Sequence, residues 1–169
     1  MKKNKPIVVI GLMGSGKTTS GRLIAEALGM PLSDSDPYLR KKYGASAAEI
    51  AAREGVDVLH EREADHVIEA LAGEPEVVAA AASTVDSPRA REAMRGALVI
   101  WLDADDAVLA ERMRSASHRP DFPPAVMRAQ REPHFRELAD LRYDVGVLTP
   151  EQVRAAVLRD FGLPPADQG

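Results

Sequence analysis

The chain has 169 residues, of which 45% are hydrophobic and 28% charged, and its formal net charge is −4. These proportions are typical of a single soluble globular domain, and the acidic balance argues against nucleic acid or an anionic membrane surface as a partner. Because the sequence contains no cysteine, disulfides, thiolate nucleophiles and cysteine-ligated metals are excluded. No run approaches the roughly 18 apolar residues of a membrane span, and we expect a cytoplasmic enzyme. The sequence indicates no particular protein partner.

Short apolar runs alternate with helical patterns along the chain. In chain order, the patterns predict a strand at 6–10, a helix at 17–28, a strand at 31–33, a helix at 37–43, a helical region at 47–71 broken near Gly55, a strand at 76–80, a helix at 88–95, a strand at 97–102, helices at 105–114 and 125–136, a strand at 143–148 and a helix at 150–161. This alternation predicts an α/β fold in which a five-stranded parallel sheet carries helices on both faces.

One domain should extend over residues 1–163. A polar, proline-rich segment at about 115–124 predicts an exposed loop, and residues 164–169 predict a flexible tail. Ligands of parallel sheets bind beyond the carboxyl ends of the strands. The loops that follow residues 10, 33, 80 and 102 are therefore the expected binding region.

The first of these loops, G-L-M-G-S-G-K-T at 11–18, fits the phosphate-binding pattern G-x-x-x-x-G-K-[ST] and stands between a predicted strand and helix. The pattern needs glycines because consecutive backbone N–H groups must curl around a phosphate. The lysine supplies positive charge for the β- and γ-phosphates of a nucleotide, and the threonine hydroxyl can ligate Mg²⁺. The residues expected to bind nucleotide here are Gly11, Gly14, Ser15, Gly16, Lys17, Thr18 and Thr19.

The chain resembles the shikimate kinase family over about residues 6–160. The resemblance rests on G-L-M-G-S-G-K-T-T-S-G-R at 11–22, S-D-S-D at 33–36, and R-E-P-H-F at 131–135 followed by L-A-D. It implies a three-layer P-loop NTPase fold with a lid loop, and transfer of phosphate from ATP to a hydroxyl of a small molecule. No N-K-x-D signature of a guanine-nucleotide protein is present.

Two carboxylates receive roles from this resemblance. Asp34 would hold Mg²⁺ through water, and Asp36 would bind the hydroxyl that accepts phosphate. Both roles suit a carboxylate, which can hold a cation or orient an alcohol and take its proton. The alternative is that either residue caps the helix expected to begin at Pro37.

Three arginines receive roles in the same way. Arg112, in L-A-E-R at 109–112, would lie against adenine, and Arg119, in H-R-P, would close onto the phosphates during transfer. Arg131 would grip a substrate carboxylate with its planar fork of donors. Arg128 lies one helical turn earlier and could substitute as that carboxylate ligand. For Arg112 and Arg119 the alternative is a solvated surface charge.

The acceptor side departs from the family at His60, where the family pattern F-R-x-x-E has a substrate-binding arginine. Glu63 of that pattern remains. A histidine is mostly neutral at pH 7 and lacks the guanidinium fork. Arg62 cannot easily replace it, because two residues along a helix correspond to about 200° around the axis.

A second departure stands where the family has three glycines after the third strand. This chain has Ala81, Ala82 and Ser83 there. An alanine forced to positive φ costs on the order of 1 kcal/mol, so the loop should run differently or enclose a smaller ligand. The hydroxyls of Ser83 and Thr84 could supply replacement hydrogen bonds.

These observations favour an ATP- and Mg²⁺-dependent kinase, with shikimate the best single acceptor. The alternatives are a kinase of another small polyol, cyclitol or hydroxy acid, a non-catalytic nucleotide-binding relative, and a nucleoside-monophosphate kinase. The last would require several arginines around a second phosphate.

Overall fold

The structure is a computed structural model that describes residues 5–115 and 124–166. The strands are β1 (Ile7–Ile10), β2 (Leu32–Asp34), β3 (Val77–Ala79), β4 (Leu98–Asp103) and β5 (Leu141–Asp144). The helices are α1 (Lys17–Leu28), α2 (Ser35–Tyr43), α3 (Ala47–Glu54), α4 (Val56–Ala72), α5 (Pro88–Met94), α6 (Asp106–Ser115), α7 (Pro124–Leu138) and α8 (Pro150–Asp160), with a short 3₁₀ helix at Ala82–Asp86. The element order confirms the predicted alternation.

The five strands form one parallel sheet in the order β2-β3-β1-β4-β5. In the central strand β1, Val8 pairs with Val78 on one side and Val99 on the other. The side chains on both faces of β1 are buried, which requires that helices cover both faces of the sheet. The α/β prediction is therefore confirmed. Because the strands are parallel, the carboxyl ends of β1, β2 and β3 lie at the same end of the sheet.

The helical region predicted at 47–71 is broken where expected. Ser46 and Glu49 form a capping box that starts α3, so two of the helix's free N–H groups are satisfied. Gly55, with φ of 98°, ends α3 and begins α4 at a new angle. A positive φ of this kind is readily adopted by glycine, which has no Cβ. This break leaves one face of α4 pointing toward the sheet edge.

The fifth strand was predicted at 143–148, and this range is wrong. The strand begins at Leu141 and ends at Asp144, after which the chain turns. Asp144 Oδ1 accepts a hydrogen bond from Gly146 N at 2.9 Å, a local turn that competes with strand pairing. The valines on either side of Gly146 imitate a strand pattern, although they lie in the turn.

The carboxyl-terminal residues that the structure describes pack against α1. Ala166 N donates a hydrogen bond to Ala27 O at 2.7 Å, and Leu163 packs against the main core. Of the tail predicted at 164–169, the structure describes 164–166. Within the described ranges, no helix is both long enough and apolar enough to cross a membrane.

Candidate active site

The loop between β1 and α1 needs glycine for two separate reasons. Gly11 has φ of 153°, and a Cβ there would lie 2.4 Å from the carbonyl oxygen of Leu102. Gly16 has φ of 82° and no atom within 4 Å of an added Cβ, so its conformation alone favours glycine. The loop is thus packed against the end of β4 on one side and open for a ligand at Gly16.

Lys17 is folded into this loop. Its Nζ donates to the carbonyl oxygens of Gly11 at 2.9 Å and Leu12 at 3.2 Å. Burial lowers the pKa of Lys17 to about 8, although the carboxylates of Asp34 and Glu63 oppose that shift. A phosphate group bound in the loop would favour the charged amine.

Thr18, in the first turn of α1, meets Asp34 at the carboxyl end of β2. Thr18 Oγ1 donates to Asp34 Oδ2 at 2.9 Å. Asp34 occupies the N-cap position of α2, but its side chain makes no capping hydrogen bond, so the capping alternative does not describe its carboxylate. Within residues 5–115 and 124–166 no cluster of three or more His, Asp or Glu could hold a metal. A kinase Mg²⁺ site needs only one or two protein oxygens besides phosphate and water, and this pair fits that requirement.

A cavity of about 260 Å³ lies beside the loop, against the turn between β5 and α8. Arg112 bridges its two walls, because Nη1 donates to Gly14 O at 3.1 Å and Nη2 to Val145 O at 2.8 Å. Of the residues predicted to bind nucleotide, this cavity is lined by Gly14, Ser15, Gly16, Thr19 and Arg112.

A second cavity, of about 480 Å³, opens on the other side of the loop. Its apolar wall includes Met13, Ala47, Val56, Leu59, Val126 and Met127. The predicted site residues that line it are Lys17, His60, Glu63, Ala81, Ala82, Ser83 and Arg131. Lys17 therefore belongs both to the phosphate loop and to this second cavity, which we call the acceptor cavity.

One described catalytic candidate, Asp36, is not brought into this cavity, and a second candidate, Arg119, falls outside the described residues. Asp36 does not line it; Asp36 Oδ2 accepts from Arg40 Nε at 2.7 Å on the exposed surface of α2. Arg119, together with most of the lid predicted at 115–124, lies outside the described residues.

The alanine-rich loop after β3 avoids the strain that positive φ would impose. Ala81 has φ of −59° and ψ of 148°, and no non-glycine residue in the described ranges has positive φ. The chain instead enters the 3₁₀ helix. Ser83 Oγ donates to Glu63 Oε1 at 3.0 Å, and Thr84 Oγ1 donates to Ala81 O at 2.7 Å. The loop therefore needs no glycine for its backbone conformation, and its hydroxyls form hydrogen bonds within the site.

Arg131 is the arginine that reaches the acceptor cavity in the described part of the chain. It is only 7% exposed. Its Nε donates to Asp86 Oδ2 at 3.2 Å, and its Nη2 lies 3.1 Å from the same oxygen in an ion pair. Asp86 also lines the cavity and was missed by sequence reasoning, because nothing in S-T-V-D-S indicated a turn that would aim this carboxylate at α7.

The other arginines that could have replaced the missing one are bound elsewhere. Arg128 pairs with Asp103 at 2.9 Å and Asp106 at 2.8 Å, which ties the start of α7 to the end of β4. Arg62 donates twice to Glu54, at 2.6 and 3.0 Å. Neither lines the acceptor cavity, so the geometry does not support a substitute role for Arg128.

Known proteins resemble this chain over most of its length. The family model for shikimate kinase matches residues 13–161. A shikimate kinase of Symbiobacterium thermophilum is 41% identical over 147 residues, which cover 80% of this chain and 84% of that protein. One from Zymomonas mobilis is 35% identical, covering 88% and 83%. The structure of a shikimate kinase from Acinetobacter baumannii in complex with shikimate superimposes with a TM-score of 0.86 at 25% identity, covering 94% and 93%.

The parallel sheet, the glycine loop and these similarities define an ATP-dependent kinase with a P-loop NTPase fold, which transfers phosphate to a hydroxyl of a small molecule. More narrowly, the chain belongs to the shikimate kinase family.

Proposed function

We propose that the protein transfers the γ-phosphate of Mg-ATP to a hydroxyl of shikimate. The observation that carries this proposal is that Lys17 and Arg131 line the same cavity. A phosphate donor held by Lys17 and a carboxylate held by Arg131 would then share one enclosed space. A kinase of the same family binds shikimate itself, which supports this choice of acceptor.

The donor side would use the glycine loop, Lys17 and the Thr18–Asp34 pair. Thr18 would ligate Mg²⁺, and Asp34 would hold the ion's water. The ion neutralises charge on the phosphate oxygens. Lys17 would release the carbonyl oxygens of Gly11 and Leu12 and turn its ammonium toward the phosphates. Arg112 lines the smaller cavity beside the glycine loop, where it would lie against the adenine of ATP.

The acceptor hydroxyl would be oriented by Asp36, which accepts its proton as the oxygen attacks the phosphorus and ADP leaves. In the structure, Asp36 is paired with Arg40. Both partners of this pair are about half exposed, and ion pairs exposed to solvent in this way contribute little to stability. Exchanging Arg40 for a substrate hydroxyl is therefore inexpensive. Arg119 would stabilise the transferring phosphate from the lid.

The acceptor's carboxylate would bind Arg131, with His60, Glu63 and Ser83 forming the surrounding wall. A nucleoside monophosphate is a poorer candidate. A second phosphate calls for several converging arginines, whereas Arg131 alone reaches the cavity from the described ranges.

An ADP-release assay with Mg-ATP tests the proposal against a panel of acceptors: shikimate, quinate, aminoshikimate, gluconate and cyclitols. We expect shikimate to give the highest kcat/KM. A higher value for a cyclitol or another polyol would replace shikimate as the acceptor. ATP binding without ADP release on any acceptor would indicate a non-catalytic relative.

A further inference from the structure

Arg131 has one edge of its guanidinium occupied by Asp86. Nε donates a hydrogen bond to Asp86 Oδ2 at 3.2 Å, and Nη2 lies 3.1 Å from the same oxygen in the ion pair. A guanidinium carries five N–H donors in a rigid plane, and its second edge is formed by Nη1 and Nη2. Asp86 therefore binds Arg131 from the side and leaves the end-on edge for another acceptor.

That end-on edge faces accessible space. In residues 5–115 and 124–166 no acceptor is bonded to Nη1 of Arg131, and the buried side-chain atoms without a partner there are Ser15 Oγ, Ser35 Oγ and His66 Nδ1. Nη1 is thus unpaired but not sealed from solvent. Because Arg131 lines the acceptor cavity, the free edge is available to a ligand in that cavity.

The backbone on both sides of Asp86 is anchored. It is the last residue of the 3₁₀ helix, and the preceding residue, Val85, is fully buried. Arg91 Nη1 donates to Val85 O at 2.8 Å. On the other side, Ser87 caps α5 by accepting from Ala90 N. Both neighbours of Asp86 are therefore fixed, which holds the backbone from which its carboxylate reaches Arg131.

We infer that Asp86 is a positioning residue for carboxylate recognition: it holds the side edge of Arg131 so that the Nη1–Nη2 edge meets the acceptor's carboxylate. The inference rests on the proposed function, since it takes shikimate as the acceptor. In a cavity where His60 replaces a second arginine, one guanidinium must supply the whole fork. Its orientation then determines the affinity, because a free arginine loses rotamer freedom on binding.

The opposite role would be competition. A resident carboxylate on Arg131 could repel the carboxylate of the acceptor, in which case removing Asp86 would tighten binding. The two roles predict opposite signs for the same measurement.

The test is calorimetric binding of shikimate and of shikimate methyl ester in saturating Mg-ADP, on the wild type, Asp86→Asn and Asp86→Glu. We expect Asp86→Asn to raise the Kd for shikimate about tenfold and to leave the Kd for the ester within a factor of about two, because the ester has no carboxylate for the fork. Asp86→Glu, which restores a carboxylate acceptor, should recover part of the loss. Asp65→Asn removes a carboxylate paired with Arg89 outside the cavity and should change neither Kd.

An unchanged or lower Kd for shikimate in Asp86→Asn overturns the inference, as does an equal rise for acid and ester, which would indicate general disorder of the cavity. Absence of shikimate binding to the wild type overturns it as well. ADP release measured on the same proteins separates the two proposals. A wild type that binds shikimate but does not phosphorylate it contradicts the proposed function, and the Kd values still decide the role of Asp86.

Discussion

The donor half and the acceptor half of the site differ in whether main-chain groups or side chains form them. The donor half is largely main chain: a glycine loop between β1 and α1, with Lys17 and Thr18 at the start of the helix. The acceptor half is made of side chains from α4, the 3₁₀ helix and α7. A main-chain site allows few substitutions, because any other residue in place of Gly11 would bring its Cβ to 2.4 Å from the carbonyl oxygen of Leu102. A side-chain site can change one residue at a time, and the departures expected from the family pattern, at His60 and Ala81–Ser83, both lie in this half.

The largest effect is expected in the donor half. Lys17→Met should lower kcat/KM by about 10³-fold or more, because a charge aimed at the transferring phosphate is lost. Burial lowers the folded-state pKa of Lys17 to about 8 from 10.5. The charged amine therefore destabilises the folded state as the pH falls below 10.5, and the full effect is reached below about pH 8. At pH 7 the melting temperature should therefore be unchanged or higher. Lys41→Met, on the exposed surface of α2, is the matched control and should retain activity.

The acceptor half should depend most on Arg131. Arg131→Lys keeps the charge but removes the bidentate fork, and we expect KM for shikimate to rise about 10- to 100-fold with a smaller change in kcat. Arg136→Lys, on an exposed part of the same helix, is the control. Equal kinetics for Arg131→Lys and the wild type would show that the carboxylate is not read at this guanidinium.

Restoring the family residue at position 60 should produce a smaller gain. His60→Arg adds a second donor fork to the cavity wall, and we expect KM for shikimate to fall about threefold to tenfold. Steady-state kinetics at saturating ATP measure this directly. A rise in KM would mean that Asp86 and Glu63 already balance the charge of the cavity with Arg131 and Lys17.

Replacing Ala81 and Ala82 should change stability rather than shikimate turnover. Because Ala81 already has negative φ, Ala81→Gly with Ala82→Gly relieves no strain, and the added freedom of the unfolded chain should lower the free energy of unfolding by about 1–2 kcal/mol. Urea unfolding measures the loss, and shikimate turnover should not improve. A marked rise in turnover would show that the Cβ atoms obstruct the acceptor.

A contact between α4 and β2 supplies a pH dependence. His66 on α4 pairs with Ser33 on β2 through Nε2 and Oγ at 2.8 Å, and burial lowers the pKa of His66 to about 4. The unfolded chain takes up this proton near pH 6.5, so stability should fall as the pH drops from about 6.5 to about 4. The slope from one such group reaches about 1.4 kcal/mol per pH unit. His66→Gln should flatten this part of the curve in urea titrations; an unchanged slope would assign the loss to other groups.

The sequence predicted what depends on local pattern. The strand–glycine loop–helix unit at 6–28, the break at Gly55 and the five-strand alternation follow from periodicity and from residues with restricted conformations. The residues missed depend on tertiary placement. Asp86 meets Arg131 across 45 residues of chain, and the partner of Arg128 on α7 is Asp103, at the end of β4. The range 143–148 failed because Asp144 and Gly146 form a turn within an apolar run.

The central claim is that the acceptor cavity binds the carboxylate of its substrate through one guanidinium, that of Arg131. The most direct test is the ratio of kcat/KM for shikimate to that for shikimate methyl ester, in the wild type and in Arg131→Lys. We predict a ratio of about 100 in the wild type that falls several-fold or more in the variant. A wild-type ratio near one, or the same ratio in both proteins, would contradict the claim.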